Sequence, residues 1–280
     1  AKAVIDLASE QTGLDIPALC FEENDKLNIT EYTQICMLAV EAAIYQAIID
    51  KGITPDVTAG LSLGEYGALI ASGAMTMADA FAVVRKRGIY MQEAVPTGGA
   101  MTAVLGLDPQ VIEDICKKTA DETNSVVSVA NYNCPGQIVI TGEKAAVDAA
   151  AAACSEAGAK RCVPLKVSGP FHSAMLKGAG EKLADALESV EIHDIKVPYI
   201  TNVTADYVKS PADVKDYLTQ QVSSSVRWQQ TIERLIADGA DEFVEIGPGR
   251  SLSGFMRKIN RDVKVVNIDK LEDFEKYVNR

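Results

Sequence analysis

Between residues 30 and 51 the apolar positions Ile35, Leu38, Ala42, Tyr45 and Ile49 recur at three- and four-residue spacing, the period of one helical face. Thr30 or Asn28 is placed to cap that helix, and Gly52 to end it. The β-prone run "ITPDVTAG" then stops at Gly60, and "GEYGALIASGAM" resumes helical spacing. A second helix is expected over residues 77–92. The opening "AKAVIDLASEQTG" reads as the middle of a helix, and it does not begin with Met, so we expect further residues upstream.

From residue 98 the pattern shortens. "GAMTAVLGL" reads as a strand and "PQVIEDICKKTAD" as a helix. "SVVSVANYN" and "QIVITG" read as two strands joined by a Cys-Pro-Gly turn, and "KAAVDAAAAACSEAG" and "KRCVPLKV" as a helix and a strand. In order this is β-α-β-β-α-β, the ferredoxin-like pattern, over residues 98–167. It predicts a small inserted subdomain within an α/β fold whose larger part is residues 1–97 and 168–280. The last third returns to mixed elements: a strand in "KVPYITNVTA", helices over 211–221 and 226–239, then strand, glycine turn and helix in "DEFVEIGPGRSLSGFMRKI", and a final strand in "DVKVVNID".

Charge narrows the partners. The 280 residues carry a formal net charge of -12, which argues against nucleic acid, because a phosphate backbone calls for a basic surface. The six cysteines form no C-x-x-C pair and have no matching histidine spacing, so neither a zinc site nor a disulfide framework is expected. A reduced, cytoplasmic setting fits that usage. The longest apolar stretch, residues 35–49, is interrupted by Glu41 and Gln46, and no membrane span or signal peptide is expected.

Candidate chemistry starts at Gly60-Leu61-Ser62-Leu63-Gly64, a G-x-S-x-G on a strand-to-helix turn, the context of a nucleophile elbow. The glycines allow the sharp turn, and the helix start offers unpaired N–H groups, with Leu63 N–H placed for an oxyanion. The bland alternative is an inert serine in a tight turn. A nucleophilic serine needs a base, and the chain holds two histidines. His193 lies in the polar "SVEIHDIKVP" and reads as a surface residue. His172, in "VSGPFHSAML", sits where Gly169-Pro170 breaks a strand before a helix, so it is either the base or a helix cap. No histidine follows residue 193, which disfavours the usual hydrolase order of serine, acid and late histidine. Arg87 shares a helical face with Ala80, Val83, Val84 and Met91, where a charge calls for an anionic partner or a route to solvent. Spacing does not separate it from Arg85. "EIGPGR" lacks the G-K-[ST] ending of a phosphate loop, and Pro248 removes a donor; a tight connection is the simpler reading.

With "GLSLGEYGAL", "RKRGIYMQEAVPTGGAM", "ANYNCPGQIVITG", "SGPFHSAML" and "FVEIGPGRSLSG" in this order, the chain resembles the malonyl-CoA:acyl carrier protein transacylase family over essentially its whole length. The resemblance implies an α/β-hydrolase-like large domain split by the ferredoxin-like subdomain, with the active site between them. It implies Ser62 as nucleophile, His172 as general base and acid, Leu63 N–H as oxyanion donor, and Arg87 rather than Arg85 as the grip on the malonyl carboxylate. It matches Gln221 to a glutamine whose backbone carbonyl orients the histidine, and Asn131 to a substrate-binding asparagine near the cleft. Phe171 resembles the form found in malonyl-selective members. The implied partners are malonyl-CoA and acyl carrier protein, with no metal or cofactor and a monomeric enzyme.

Two departures stand out. Leu61 occupies the place where the family usually has histidine, and the family's G-Q-G-x-Q loop, source of a second oxyanion donor, is expected upstream of Ala1. Carrier protein of this kind is acidic, so a local basic rim is expected from Lys160, Arg161 and Lys166, or from Arg257, Lys258 and Arg261. The rival readings are a serine hydrolase of thioesters or esters, an acyltransferase domain of a polyketide synthase, and a catalytically inactive carrier-binding module.

Overall fold

A computed structural model describes residues 1–167 and 169–280. Helix α1 (Lys2–Thr12) ends on Gly13 in the left-handed region, α2 (Ile16–Phe21) starts on an Asp15 cap, and α3 (Thr30–Ile49) is the longest helix among them. The expected side-chain cap of α3 is not formed. Ile29 occupies that position, and the Thr30 N–H donates instead to Gln92 Oε1 at 3.2 Å, so a neighbouring helix supplies the cap. Strand β1 (Thr58–Ala59) leads through the Gly60–Gly64 turn into α4 (Gly64–Ser72), followed by α5 (Met77–Ala94).

The next elements are β2 (Gly99–Leu105), α6 (Pro109–Thr123), β3 (Val127–Cys134), β4 (Gln137–Glu143), α7 (Lys144–Glu156) and β5 (Arg161–Pro164). Their four strands form one antiparallel sheet in the order β3-β4-β2-β5. Alternation sorts its side chains. Val104, Val129 and Ile140 pack under α6 and α7 with Ile112 and Val147, whereas Met101, Ala103, Ala130 and Val139 face the other way, onto Phe171. The boundary expected between residues 167 and 168 falls on Ser168, which lies outside the described residues.

After β5 come α8 (Lys177–Glu188), β6 (Tyr199–Ile200), α9 (Val214–Gln221), α10 (Trp228–Ala237), β7 (Glu242–Ile246), α11 (Ser251–Ile259), β8 (Lys264–Ile268) and α12 (Leu271–Val278). The parallel pairing is split between two ladders, β1 with β6 and β7 with β8. The β1–β6 ladder is only two residues long, shorter than its sequence runs predict. Pro55 and Pro198 have no N–H to offer, and beyond Ile200 the N–H of Asn202 turns away to the Glu65 carboxylate. The helix expected over 226–239 begins only at Trp228 for a similar reason. Val226 gives its N–H to Ala130 O and its carbonyl to Tyr132 N–H, stitching this segment onto β3.

The largest core lies among α1, α3, α4, α5, α8 and α9, with Ile35, Leu38, Leu69, Phe81, Val84, Leu183 and Leu218 buried. Helix α3 is long and apolar enough to cross a membrane by length and composition, yet here its apolar residues Ile35, Leu38 and Ala39 are buried in that core. At Gly88 a Cβ would come within 2.9 Å of Glu31 Cα, so the glycine lets α5 lie close against α3. This contact brings residues 34 and 87 together.

Candidate active site

The turn from β1 to α4 places Ser62 in the left-handed region, with φ at 54°, a conformation that costs a non-glycine residue on the order of 1–3 kcal/mol. Three contacts hold it there. Asn202 Oδ1 accepts the Ser62 N–H at 2.5 Å, Asn202 Nδ2 donates to Gly60 O at 2.6 Å, and Gln221 Nε2 donates to Ser62 O at 2.9 Å. The two glycines of the motif differ in what they do. A Cβ on Gly60 would meet Gly64 O at 1.9 Å, whereas one on Gly64 would meet nothing within 4 Å. The closeness of the turn therefore demands the first glycine and not the second. Leu63 N–H, at the start of α4, has no acceptor among the described residues.

His172 also has a left-handed backbone, φ 60°. Its neighbour Phe171 packs on the small sheet, and Ser173 Oγ closes the turn onto Pro170 O at 2.7 Å. The imidazole is 4% exposed. Its Nδ1–H donates to Gln221 O at 2.8 Å, which leaves Nε2 as the acceptor for the Ser62 hydroxyl, also at 2.8 Å. Burial, and then the nearby Arg87 charge, push its pKa down to about 4, so the ring is neutral and able to take a proton.

Arg87 is 1% exposed. Its Nη1 donates to Gln34 Oε1 at 2.5 Å, and its Nη2 to Gln221 Oε1 at 3.0 Å and to Ser62 Oγ at 3.1 Å. The guanidinium lies 5.6 Å from the centre of the Tyr66 ring. Among the described residues no carboxylate forms an ion pair with it. Arg87 is thus a buried cation without an ion-pair partner among the described residues, touching a serine that touches a neutral histidine, and such a cation can accept an anionic group.

The sequence pattern described as an acyl transferase domain matches residues 4–268. The chain belongs to the acyl transferase family. It is 45% identical to the malonyl CoA-acyl carrier protein transacylase of Bacillus subtilis over 277 residues, covering 98% of this chain and 87% of the relative. Among solved structures, MCAT from Streptococcus pneumoniae superposes with a TM-score of 0.95 at 45% identity, covering 99% of this chain and 90% of that one. A malonyl-transacylase in complex with a type II PKS acyl-carrier protein also has a TM-score of 0.95, at 38% identity, with 99% and 90% coverage. The resemblance carried by the motifs thus extends along the acyltransferase.

The structure separates the residues that spacing left equivalent. Arg85 of the acyltransferase pairs with Glu31 Oε2 at 2.8 Å and lies against Tyr32, away from Ser62. His193 is partly exposed, 3.7 Å from Glu191. Asn131 is buried on β3, bridged through its backbone to Val226, and shares no side-chain hydrogen bond with Ser62, His172, Arg87 or Gln221. "EIGPGR" forms a tight connection. Gly247 passes so close to Glu41 that a Cβ would lie 2.8 Å from Cγ, and the Leu252 and Ser253 N–H groups at the start of α11 donate to Glu245. Those donors are already satisfied, which leaves them none to spare for a phosphate. No group of three His, Cys, Asp or Glu side chains suited to a metal forms among the described residues.

Three residues escaped the sequence reading. Gln34 sits on a helix whose face reads as plain core. Asn202 follows a strand run with nothing to mark it. Glu65 is fully buried in α4, accepting from Asn202 N–H at 3.1 Å and from Gln221 Nε2 at 2.7 Å. Burial pushes its carboxyl above the usual range, opposed by the Thr201 hydroxyl, by these two hydrogen bonds and by the Arg87 charge. A charge on the apolar side of α4, three residues after Ser62, was the available signal.

Proposed function

We propose that this acyltransferase moves a malonyl group from malonyl-CoA to the phosphopantetheine thiol of acyl carrier protein through an ester on Ser62. The observation that carries the reading is that Ser62 Oγ meets His172 Nε2 and Arg87 Nη2 together. In the first half-reaction the hydroxyl proton passes to Nε2 as Oγ bonds to the thioester carbonyl carbon. The tetrahedral oxyanion is held by Leu63 N–H. The C–S bond then breaks, and the imidazolium returns the proton to the departing CoA thiolate. In the second half the carrier thiol gives its proton to His172 and attacks the ester by the same steps. The carbonyl of Gln221 fixes the imidazole tautomer throughout, the task a carboxylate performs in a serine–histidine–aspartate triad. Arg87 pairs with the malonyl carboxylate, which a hydrolase of uncharged esters would have no use for.

The strand order β3-β4-β2-β5 with two covering helices supports a ferredoxin-like subdomain of residues 98–167 inside an α/β-hydrolase-like domain of 1–97 and 168–280. The cleft lies where Phe171 and Val226 join the two. For the carrier we propose the basic residues Lys160, Arg161, Lys166, Arg257, Lys258 and Arg261 as the docking rim; Lys258 Nζ already reaches across to Gln137 Oε1 at 3.3 Å. We take the enzyme to act as a cytoplasmic monomer without metal or cofactor, Asn131 contributing to substrate binding.

The test is direct. On incubation with malonyl-CoA, peptide mapping by mass spectrometry should place a malonyl ester on Ser62, and added holo carrier protein should remove it. An ester that turns over only to water, or no ester at all, overturns the reading.

A further inference from the structure

A carboxamide has a donor end and an acceptor end, and only one orientation of Gln221 presents its acceptor to Arg87. Oε1 accepts from Arg87 Nη2 at 3.0 Å, while Nε2 donates to Ser62 O at 2.9 Å and to Glu65 Oε2 at 2.7 Å. Turned over, the amide would set its N–H groups against the guanidinium and its oxygen against two acceptors. We propose that Glu65 is a positioning residue that locks this orientation, and through Gln221 aims Arg87 at the charged end of a dicarboxylic acyl group. The inference rests on the malonyl reading above.

Glu65 is suited to the task by what it cannot do. Its Oε2 already accepts the Asn202 N–H at 3.1 Å as well as the Gln221 amide. Its Oε1 makes no hydrogen bond of good geometry, and the Thr201 hydroxyl beside the carboxyl is likewise left over, so a proton on the carboxyl would sit on Oε1. In either protonation state Oε2 remains an acceptor and holds the Gln221 nitrogen toward itself. The position of the guanidinium is set by two glutamine oxygens, Gln34 Oε1 on Nη1 and Gln221 Oε1 on Nη2, while its Nε has no partner. Loosening the second frees Nη2, the nitrogen that touches Ser62 Oγ. His172 depends on the backbone carbonyl of Gln221 and not on its side chain, so the base keeps its support when the amide turns.

Glu65→Met tests this at nearly constant size, because it removes the acceptor that holds the Gln221 nitrogen, whereas Glu65→Gln, whose oxygen can stand where Oε2 does, should keep the wild-type substrate preference. For Glu65→Met the expected result is a fall in kcat/KM for malonyl-CoA of about 10–100-fold, the effect of one mispaired buried polar contact. Acetyl-CoA transfer shares only the loosened Gln221 contact to Ser62 O and should fall clearly less than malonyl transfer, the carboxylate contact being irrelevant to it. In an Arg87→Ala background the same substitution should cost malonyl transfer no more than it costs acetyl transfer. Equal losses for both substrates, an unchanged malonyl rate, or an undiminished cost without Arg87 would each overturn the proposal. If Glu65→Met does not fold, Glu65→Asp carries the test, its carboxylate one methylene short of the Gln221 amide, with the same unequal loss expected and an equal one fatal. A wild-type enzyme that does not prefer malonyl-CoA to acetyl-CoA would instead refute the proposed function.

Discussion

Arg87 and Ser62 touch directly, Nη2 to Oγ at 3.1 Å, so the group assigned to select the acyl chain also contacts the group assigned to carry it. In the proposed reaction the cation stabilises negative charge building on Oγ, and after burial, the larger cause, it also disfavours an imidazolium on His172. A bound carboxylate offsets the second effect while sparing the geometry. In the proposed reaction, charge on the acyl group thereby helps its own transfer.

Replacing Arg87 by Ala should therefore lower kcat/KM for malonyl-CoA by roughly 100-fold or more, the scale of losing a bidentate charge-assisted contact, and lower acetyl transfer far less. Arg85→Ala serves as the control. Its guanidinium is held by Glu31, and substrate preference should not move. Steady-state kinetics with the two thioesters decides both points, and an equal loss for both substrates in Arg87→Ala would remove the selectivity role.

His172→Ala should slow formation of the Ser62 ester by about 100- to 10,000-fold, the usual worth of a general base, without loss of the fold. Single-turnover acylation followed by mass spectrometry measures this. A rate within tenfold of wild type would mean that the proton leaves by another route.

The pH profile follows from the depressed pKa of His172. A base with pKa near 4 is neutral throughout the range above it, so kcat/KM should stay level as pH falls from 8 to about 5 and decline only below that. Removing Arg87, the second cause of the shift, should move the decline to higher pH. The same ring affects stability. The unfolded chain takes up its proton near pH 6.5 and the folded one only near 4, so stability is lost as pH falls through that window, by roughly 3 kcal/mol in total. Denaturant titrations of wild type and His172→Gln between pH 7 and 4 should show this slope in the first and less of it in the second.

The two motif glycines should respond differently to alanine. Gly60→Ala forces a methyl onto Gly64 O at 1.9 Å, and should cost about 1–3 kcal/mol or more as the turn shifts, with loss of acylation. Gly64→Ala enters open space on a helix, and its stability should lie within about 0.5–1 kcal/mol of wild type, on the favourable side. Thermal unfolding of the pair measures the contrast. Equal destabilisation would mean that the turn is less tightly closed than the structure has it.

How far the sequence could be read depended on what each residue's signal looked like. The small sheet was legible because "GAMTAVL" and "QIVITG" are short, mostly apolar runs bounded by glycine and turn residues, the form of strands buried on both faces. The two-residue β1–β6 ladder was not, since side-chain preference alone cannot say where a backbone N–H will turn, and Asn202 sends its own to Glu65. Ser62 and His172 stood out through a motif and through scarcity. Gln34, Glu65 and Asn202 carry no such mark, because a neutral amide or a single carboxylate acquires its role only from what it meets.

Local order was written in the chain by itself. The run of helices and strands follows from periodicity and turn chemistry, and two candidate reactive groups 110 residues apart follow from a motif and a lone well-placed histidine. Distance in space was not. Only the packing of α5 on α3, and the seams at Phe171 and Val226, bring Arg87, Ser62, His172 and Gln221 within hydrogen-bond reach. Propensity acts between neighbours along the chain, whereas a hydrogen bond between residues 62 and 221 exists only once the apolar surfaces between them have found each other.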